Sequence, residues 1–443
     1  MNKTGKYFTQ DYMVGAIKRA VERKLERIKA GKDKSKVKDR VLDSIMSGLA
    51  MFTFKFPSLL QFDHLRKAEG VKYRNLCKLF RIGSIPSDTY MREVLDEESP
   101  NILRTCFSQI FALLQRGGVL KNFLFLEQYY IISLDGTGYF SSDKVRCKQC
   151  CVKEHKDGRK EYYHQMLAGA LVSPGEKIVF PFAPEPIMNT DGATKNDCER
   201  NAAKRWLGDF RREHPNLPVV IVADGLSSNA PFIESLRQHN CRFILVAKES
   251  DHAYLTDWVK AGDKEDAPII EVQTKSVMIK YQYMNDVPLN NSKKSCRVNV
   301  VKYWEENAQK EIQRKWMWVT DIPVTHENVK QLAKGGRSRW KIENETFNTL
   351  KNQGYQFEHN FGHGYKNLTT VFAYLMLLAF FVDQCIQLLD KGFQKALTTC
   401  KAKFALWERM RCCINYFIVG SFETLYALVH SPPIIDASAY AVA

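Results

Sequence analysis

The sequence predicts an α/β fold: a mixed sheet covered by helices, interrupted by an all-β insertion and flanked by helical regions at both ends. Three observations carry that prediction. Short β-branched runs alternate with helical stretches between residues 126 and 250. Four strand-like runs separated by turn residues then occupy 251–326. Helical patterning fills 1–125 and returns from 327 to the end.

In the first region, Asp11 to Ala30 carries charges at short spacing. Ser35 to Phe52 follows with Val37, Val41, Ile45 and Leu49 four residues apart, which puts them on one helix face. Ile85-Pro86-Ser87-Asp88 punctuates the next helix, where Ser87 or Asp88 can cap, and Ile102 to Leu114 forms another closed by Gly117-Gly118. From 126, the run Tyr129 to Leu134 is a strand ending at Asp135, with Gly136-Thr137-Gly138 as a turn. Tyr162 to Val172 and Lys177 to Phe182 make a hairpin through Ser173-Pro174-Gly175-Glu176. A basic helix, Asn196 to His214, leads to the strand Val219 to Ala223 ending at Asp224. The helix Ala230 to His239 and the strand Arg242 to Ala247 close this part of the core. The insertion, 251–326, holds strands at Ile269 to Val272, Val277 to Tyr283, Arg297 to Tyr303 and Trp316 to Val319. The second part of the core, 327–385, carries a helix with Glu343, and 386–443 forms a C-terminal helical region.

Composition narrows the partners. A 45% hydrophobic share with 12% aromatics excludes wholesale disorder. The formal net charge is +16, and residues 1–40 hold 13 Lys/Arg against 5 Asp/Glu, so 13 − 5 = +8. Concentrated positive charge is the footprint of a polyanion binder. Met1 to Tyr12 lacks the apolar segment of a signal peptide. The most apolar run, Val371 to Val382, is too short to span a bilayer and reads as a buried core helix. Twelve cysteines without a signal peptide fit a reducing compartment. An intracellular protein with no membrane partner is expected.

Asp135 and Asp224 end strands, and Glu343 sits in Arg339-Trp340-Lys341-Ile342-Glu343 at the start of a helical stretch. Three such carboxylates offer the hard oxygen ligands that two divalent cations need for phosphoryl transfer. Their order matters more than any one of them: 224 − 135 = 89 residues leaves room for a hairpin and a helix, and 343 − 224 = 119 for the insertion. A separate cluster, Cys147-Lys148-Gln149-Cys150-Cys151, has the C-x2-C half of a zinc site. Cys147, Cys150 and His155 form the candidate Zn2+ set, with His164, or the H-x3-H pair His359 and His363, as other partners.

Asp135-Gly136-Thr137, Ala223-Asp224-Gly225 and Arg339-Trp340-Lys341-Ile342-Glu343 together resemble the three motifs of bacterial insertion-sequence transposases of the DDE class. The resemblance spans roughly residues 130 to 360, and is to the branch whose catalytic domain is split by β-strands before the last acid. It implies a ribonuclease-H-like core with the first two acids on adjacent central strands. It also implies cut-and-paste transposition by two Mg2+ (or Mn2+) ions held by Asp135, Asp224 and Glu343, with Arg339 and Lys351 on DNA phosphates. Trp316 and Trp318, in the insertion, stand where such enzymes carry an aromatic that stacks on an extruded base, although strand alternation also allows either one to face a sheet core. The implied partner is double-stranded DNA, both transposon ends and target, bound by a homodimer at the nucleoid of the bacterial cytoplasm.

The chain departs from the family pattern in two places. Gly336 occupies the usual Tyr position, and Leu350 the usual Lys position, with Lys351 one residue later and about 100° around a helix. Glu345 competes with Glu343 as the third acid. Two rival functions share the same residues: a metal-dependent nuclease that cuts without joining strands, and an inactive DNA-binding derivative.

Overall fold

A computed structural model describes residues 8–28, 35–67, 70–189, 198–262, 267–359 and 361–434. The basic arm expected at the N-terminus therefore lies partly outside the described residues, at 1–7 and 29–34. The chain divides into two compact units, one of residues 1–118, 139–163 and 348–443, the other of 119–138 and 164–347.

The first unit is mainly helical. Its leading helices are α1 (Gln10–Ile28), α2 (Ser35–Thr53), α3 (Leu59–Lys67), α4 (Val71–Phe80), α5 (Asp88–Asp96) and α6 (Asn101–Arg116). Its strands are the far end of β2 (Tyr129–Ser142), from Tyr139 onward, and β3 (Cys151–Glu154), which pairs with the first residues of β4 (Lys160–Val172). Its trailing helices are α11 (Asn348–Asn352), α12 (Leu368–Leu389), α13 (Lys391–Cys400), α14 (Lys403–Tyr416) and α15 (Phe422–His430). The 22 residues of α12 are long and apolar enough to cross a bilayer, but the helix is buried from Thr370 to Ile386 and packs against α2. It is the core helix that the apolar run Val371 to Val382 predicted. Its N-terminus is held by Asp96, whose carboxylate accepts backbone N–H groups from Tyr365, Lys366, Asn367 and Leu368 at 2.9–3.0 Å. Two of these donors, Asn367 and Leu368, are amides that a helix leaves orphaned at that end, and the other two fix the turn leading into it. Deeper in the same core, Lys55 Nζ meets Asp383 Oδ2 at 2.6 Å, Tyr355 also donates to Asp383, and the ammonium lies 3.8 Å from the Tyr355 ring centroid.

The second unit is built on the sheet. Its strands are β1 (Leu124–Phe125), β2 (Tyr129–Ser142, which crosses into the first unit at Tyr139), β4 (Lys160–Val172, from His164 onward), β5 (Phe180–Pro181), β6 (Glu185–Ile187), β7 (Val219–Ala223), β8 (Arg242–Val246), β9 (Ile269–Gln273), β10 (Met278–Pro288), β11 (Arg297–Glu306) and β12 (Ile312–Thr320). Their order is β4-β2-β7-β8-β12-β11-β10-β9, in a mixed sheet that counts twelve strands with β3 and the short β1, β5 and β6. β2, β7 and β8 are parallel, and β8 to β9 run antiparallel. β7 is buried at every position, as expected of a parallel strand covered on both faces. Helices α7 (Glu199–Glu213), α8 (Ala230–Gln238), α9 (Ala253–Ala261) and α10 (Val329–Arg337) complete the unit.

The predicted α/β class holds, with four local corrections. β2 runs unbroken through Gly136-Thr137-Gly138, which is strand and not turn. A Cβ at Gly136 would collide with the Glu199 carboxylate, so the glycine there serves close approach. The hairpin return expected at Lys177 to Phe182 shrinks to β5, with β6 also on β4. The β-insertion begins with a helix, α9, and its strands extend the core sheet through the β12–β8 pairing.

Candidate active site

The adjacent parallel strands β2 and β7 deliver the first two acids to one cleft. Tyr130 pairs with Val219 and Ser133 with Val222, a constant offset of 219 − 130 = 89. Asp135 and Asp224 differ by the same 224 − 135 = 89: Asp135 lies in β2 two residues past the last paired rung, and Asp224 directly follows the last residue of β7. Strands in a sheet lie about 4.8 Å apart. Both aspartates line a cleft of about 300 Å3, together with Gln165, Glu199, Arg200 and Ser227. Asp224 Oδ1 also accepts the Leu226 N–H at 3.2 Å and the Ser227 hydroxyl at 3.4 Å, which holds the 3₁₀ turn Gly225–Ser227 below it.

The third acid arrives on the segment after α10. Glycines at 335 and 336 let that helix press onto the sheet: an added Cβ would lie 2.7 Å from Phe125 Cζ at one and 2.6 Å from Trp318 Cε2 at the other. Glycine inside a helix costs about 1 kcal/mol relative to alanine, and here it allows contacts no side chain would permit. Trp318 thus fills the space of the side chain that Gly336 lacks. Beyond α10 the Ser133 hydroxyl donates to the Arg339 carbonyl at 2.9 Å, tying the segment to β2. Residues Ile342–Phe347 then form a π turn, a departure from α-helical geometry that concentrates at functional sites. A π turn holds one residue more than an α turn, the same count by which Lys351 trails the family's lysine position.

Arg339 links two of the acids. Its Nη1 lies 3.3 Å from Asp135 Oδ2 and 2.8 Å from Glu343 Oε1. The Asp135 carboxyl is pushed up to about 7, first by burial and then by its hydrogen bond with Glu343, with the Arg339 charge opposing. Two carboxylates this close cannot both ionise cheaply, and a divalent cation between them would replace the proton. The donor set is all carboxylate oxygen, which suits Mg2+ or Mn2+. Glu345 acts elsewhere, on the charge of Lys341, which also donates to the Glu176 carbonyl.

Other candidate residues are distributed as follows. Trp316 is partly exposed, stacked 6.5 Å from Trp318 at 11°, with the Arg337 guanidinium 4.9 Å from its ring. Trp318 is 1% exposed. Its face is spent on Gly336 and the sheet core, which corrects the expectation that both tryptophans are available to a base. Lys351 belongs to the first unit, where it pairs with Glu358 at 2.6 Å. His155 is removed from the cysteine cluster: its Nε2 lies 2.9 Å from Glu161 Oε2. This corrects the Cys147, Cys150, His155 set, since the histidine at Cys150 is His363. Glu199, the first residue of α7, was not anticipated. Its carboxyl is raised by burial and then by the charge of Asp224. Nothing local in Cys198-Glu199-Arg200 sets it apart; only the fold brings it to Gly136.

Residues 129–381 match the family model of the transposase DDE domain. A search of curated proteins finds no match. Among solved structures the chain is similar to a piggyBac transposase synaptic complex with hairpin DNA, at 8% identity and a TM-score of 0.42, covering 97% of this chain and 82% of that one. With more than half of its length in the matched region, this chain belongs to the transposase DDE domain family.

Proposed function

We propose that this transposase cleaves and joins the ends of a DNA element by cut-and-paste phosphoryl transfer, using Asp135, Asp224 and Glu343. The observation that carries the reading is the placement of Asp135 and Asp224 in one cleft, with Asp135 joined to Glu343 through Arg339. The three carboxylates would hold two Mg2+ (or Mn2+) ions. Bound there, the ions supply Lewis acidity to the attacking water or 3′-hydroxyl and to the leaving oxygen. The chain's own residues do the rest. Arg339 holds two of the carboxylates in place, and once cations take over their charge its fork is free to grip a phosphate. The hydroxyl of Ser133 keeps that arginine's backbone fixed to the strand that carries Asp135. Trp316, with Arg337 against it, is the aromatic surface for a base at the cleaved end. Gly336 offers no side chain for the role a tyrosine has in the family.

Double-stranded DNA is the partner, both element ends and target, with the excess positive charge contributing sequence-independent affinity. A homodimer on two ends, at the bacterial nucleoid, completes the reading. The test is a strand-transfer assay with the full chain, Mg2+ and end duplexes supplied both intact, to read cleavage, and precleaved, to read joining. Joined product is expected, and Asp135→Asn, Asp224→Asn and Glu343→Gln each lose it while Glu345→Gln keeps it. Cleavage without joined product would make the protein a nuclease. Cleavage that survives Asp135→Asn would remove these acids from the chemistry.

A further inference from the structure

The sequence spacing around Cys147 left the histidine partner open, and the structure sets His363 against Cys150. Cys147 Sγ and Cys150 Sγ are 3.8 Å apart, and Cys150 Sγ lies 3.3 Å from His363 Nε2. A disulfide would bring the sulfurs to about 2.05 Å. Two thiolates about 2.3 Å from a tetrahedral centre sit about 3.8 Å apart, and a thiolate and an imidazole nitrogen about 3.6 Å apart. The sulfur–sulfur separation is that of tetrahedral thiolates, and the 3.3 Å between Cys150 and His363 is close to the mixed pair.

The surroundings are built for the same purpose. The Cys147 N–H donates to Cys150 Sγ at 3.3 Å and the Gln149 N–H to Cys147 Sγ at 3.4 Å, so the loop aims amides at both sulfurs. His363 Nδ1 lies 2.8 Å from the Gly364 carbonyl, which accepts its proton and leaves Nε2 with its lone pair toward Cys150. The loop holds this ring by force of backbone: Gly362 and Gly364 flank it at φ +134° and +68°, conformations that glycine adopts without penalty. The Phe140 ring covers the imidazole at 4.5 Å, and Cys150 and His363 are both buried.

We propose that Cys147, Cys150 and His363 hold a zinc ion, separate from the catalytic acids and independent of the reading of their chemistry. Binding releases one proton from each thiol, so Zn2+ with two thiolates and a neutral imidazole carries no net charge, which suits its burial. Within the first unit the ion would tie the loop before β3 to the loop before α12, through Cys147, Cys150 and His363.

The test uses the full chain purified from zinc-supplemented cells and dialysed against a weak chelator. One zinc per chain is expected by plasma mass spectrometry, retained in His155→Ala and lost in Cys150→Ser and His363→Ala. Since those variants can also fail to fold, the wild-type protein is loaded with Co2+ in parallel. A thiolate-to-cobalt charge-transfer band with tetrahedral visible bands is expected. Wild-type protein that binds neither zinc nor cobalt, a Cys147–Cys150 disulfide in protein purified under reducing conditions, or zinc retained in folded Cys150→Ser would each overturn the proposal.

Discussion

Removing the Asp135 charge should make the metal-free protein more stable at alkaline pH, even as it abolishes chemistry. Burial, and then the hydrogen bond with Glu343, push the Asp135 carboxyl up to about 7 from its ordinary 3.8. The folded state therefore keeps a proton that the unfolded chain releases. The stability this gives is complete below about pH 4 and is lost as pH rises through about 7. The difference of 7 − 3.8, about 3 pKa units, corresponds to at most about 4 kcal/mol at 1.36 kcal/mol per unit. Asp135 is only 19% exposed at the side chain, so solvent screening takes little from that bound, whereas sharing with Glu343 and Arg339 lowers it. Asp135→Asn keeps the shape and removes the titration. Urea unfolding in chelator between pH 5 and pH 8 should show wild-type stability falling through this window relative to the variant, which ends the more stable of the two at pH 8. Mg2+ should then restore the wild type at pH 8 and do little for Asp135→Asn. Parallel pH profiles for the two proteins would show that Asp135 is not held protonated by its neighbours.

Three further outcomes follow from the packing. Gly336→Ala must push against Trp318 at 2.6 Å, and should lower stability by about 1–3 kcal/mol in thermal unfolding. Asp383→Asn leaves the Lys55 ammonium buried without its counter-charge and should cost about 3–5 kcal/mol, whereas Lys55→Met with Asp383→Leu recovers much of the loss in denaturant titrations. Trp318→Ala should destabilise the fold by about 3–5 kcal/mol, while Trp316→Ala leaves the unfolding midpoint nearly unchanged and weakens binding to cleaved end DNA in a filter or anisotropy assay.

What could be read from the sequence was what depends on local pattern. β7, α8 and β8 appear within one residue of where hydrophobic runs and turn residues set them, because each run is buried by its own periodicity. The apolar run before Asp383 is a buried helix for the same reason. Tertiary contact overrode pattern elsewhere. Gly136 and Gly138 look like turn residues, yet β2 passes through them because Glu199 needs the space that a side chain would take. The insertion strands look self-contained, but an unpaired edge on β8 accepts β12 and makes them part of one sheet. In the cysteine cluster, chain proximity pointed to His155, whereas Glu161 claims that ring and the fold delivers His363 from more than two hundred residues away. No spacing rule in one sequence anticipates such a partner. Glu199 is the same case among the acids: an ordinary first-turn glutamate until the sheet is assembled.

The register of β7 against β2, at whose ends Asp224 and Asp135 stand, separates what can vary in this architecture from what cannot. The 89-residue interval between them is a property of the connections, and loops such as 143–150 or 173–179 can lengthen or shorten without moving either carboxylate. Pairing phase has no such freedom. A one-residue slip of β7 against β2 would turn Asp224 to the opposite face of the sheet, and a two-residue slip would carry it about 6.6 Å along the strand. Homologues of very different length can therefore keep the same pair of acids, and alignments that count residues will lose a correspondence that strand pairing preserves. For grafting such a site onto another parallel sheet, the quantity to copy is the ladder position of the two strand ends, with the intervening chain left to the designer.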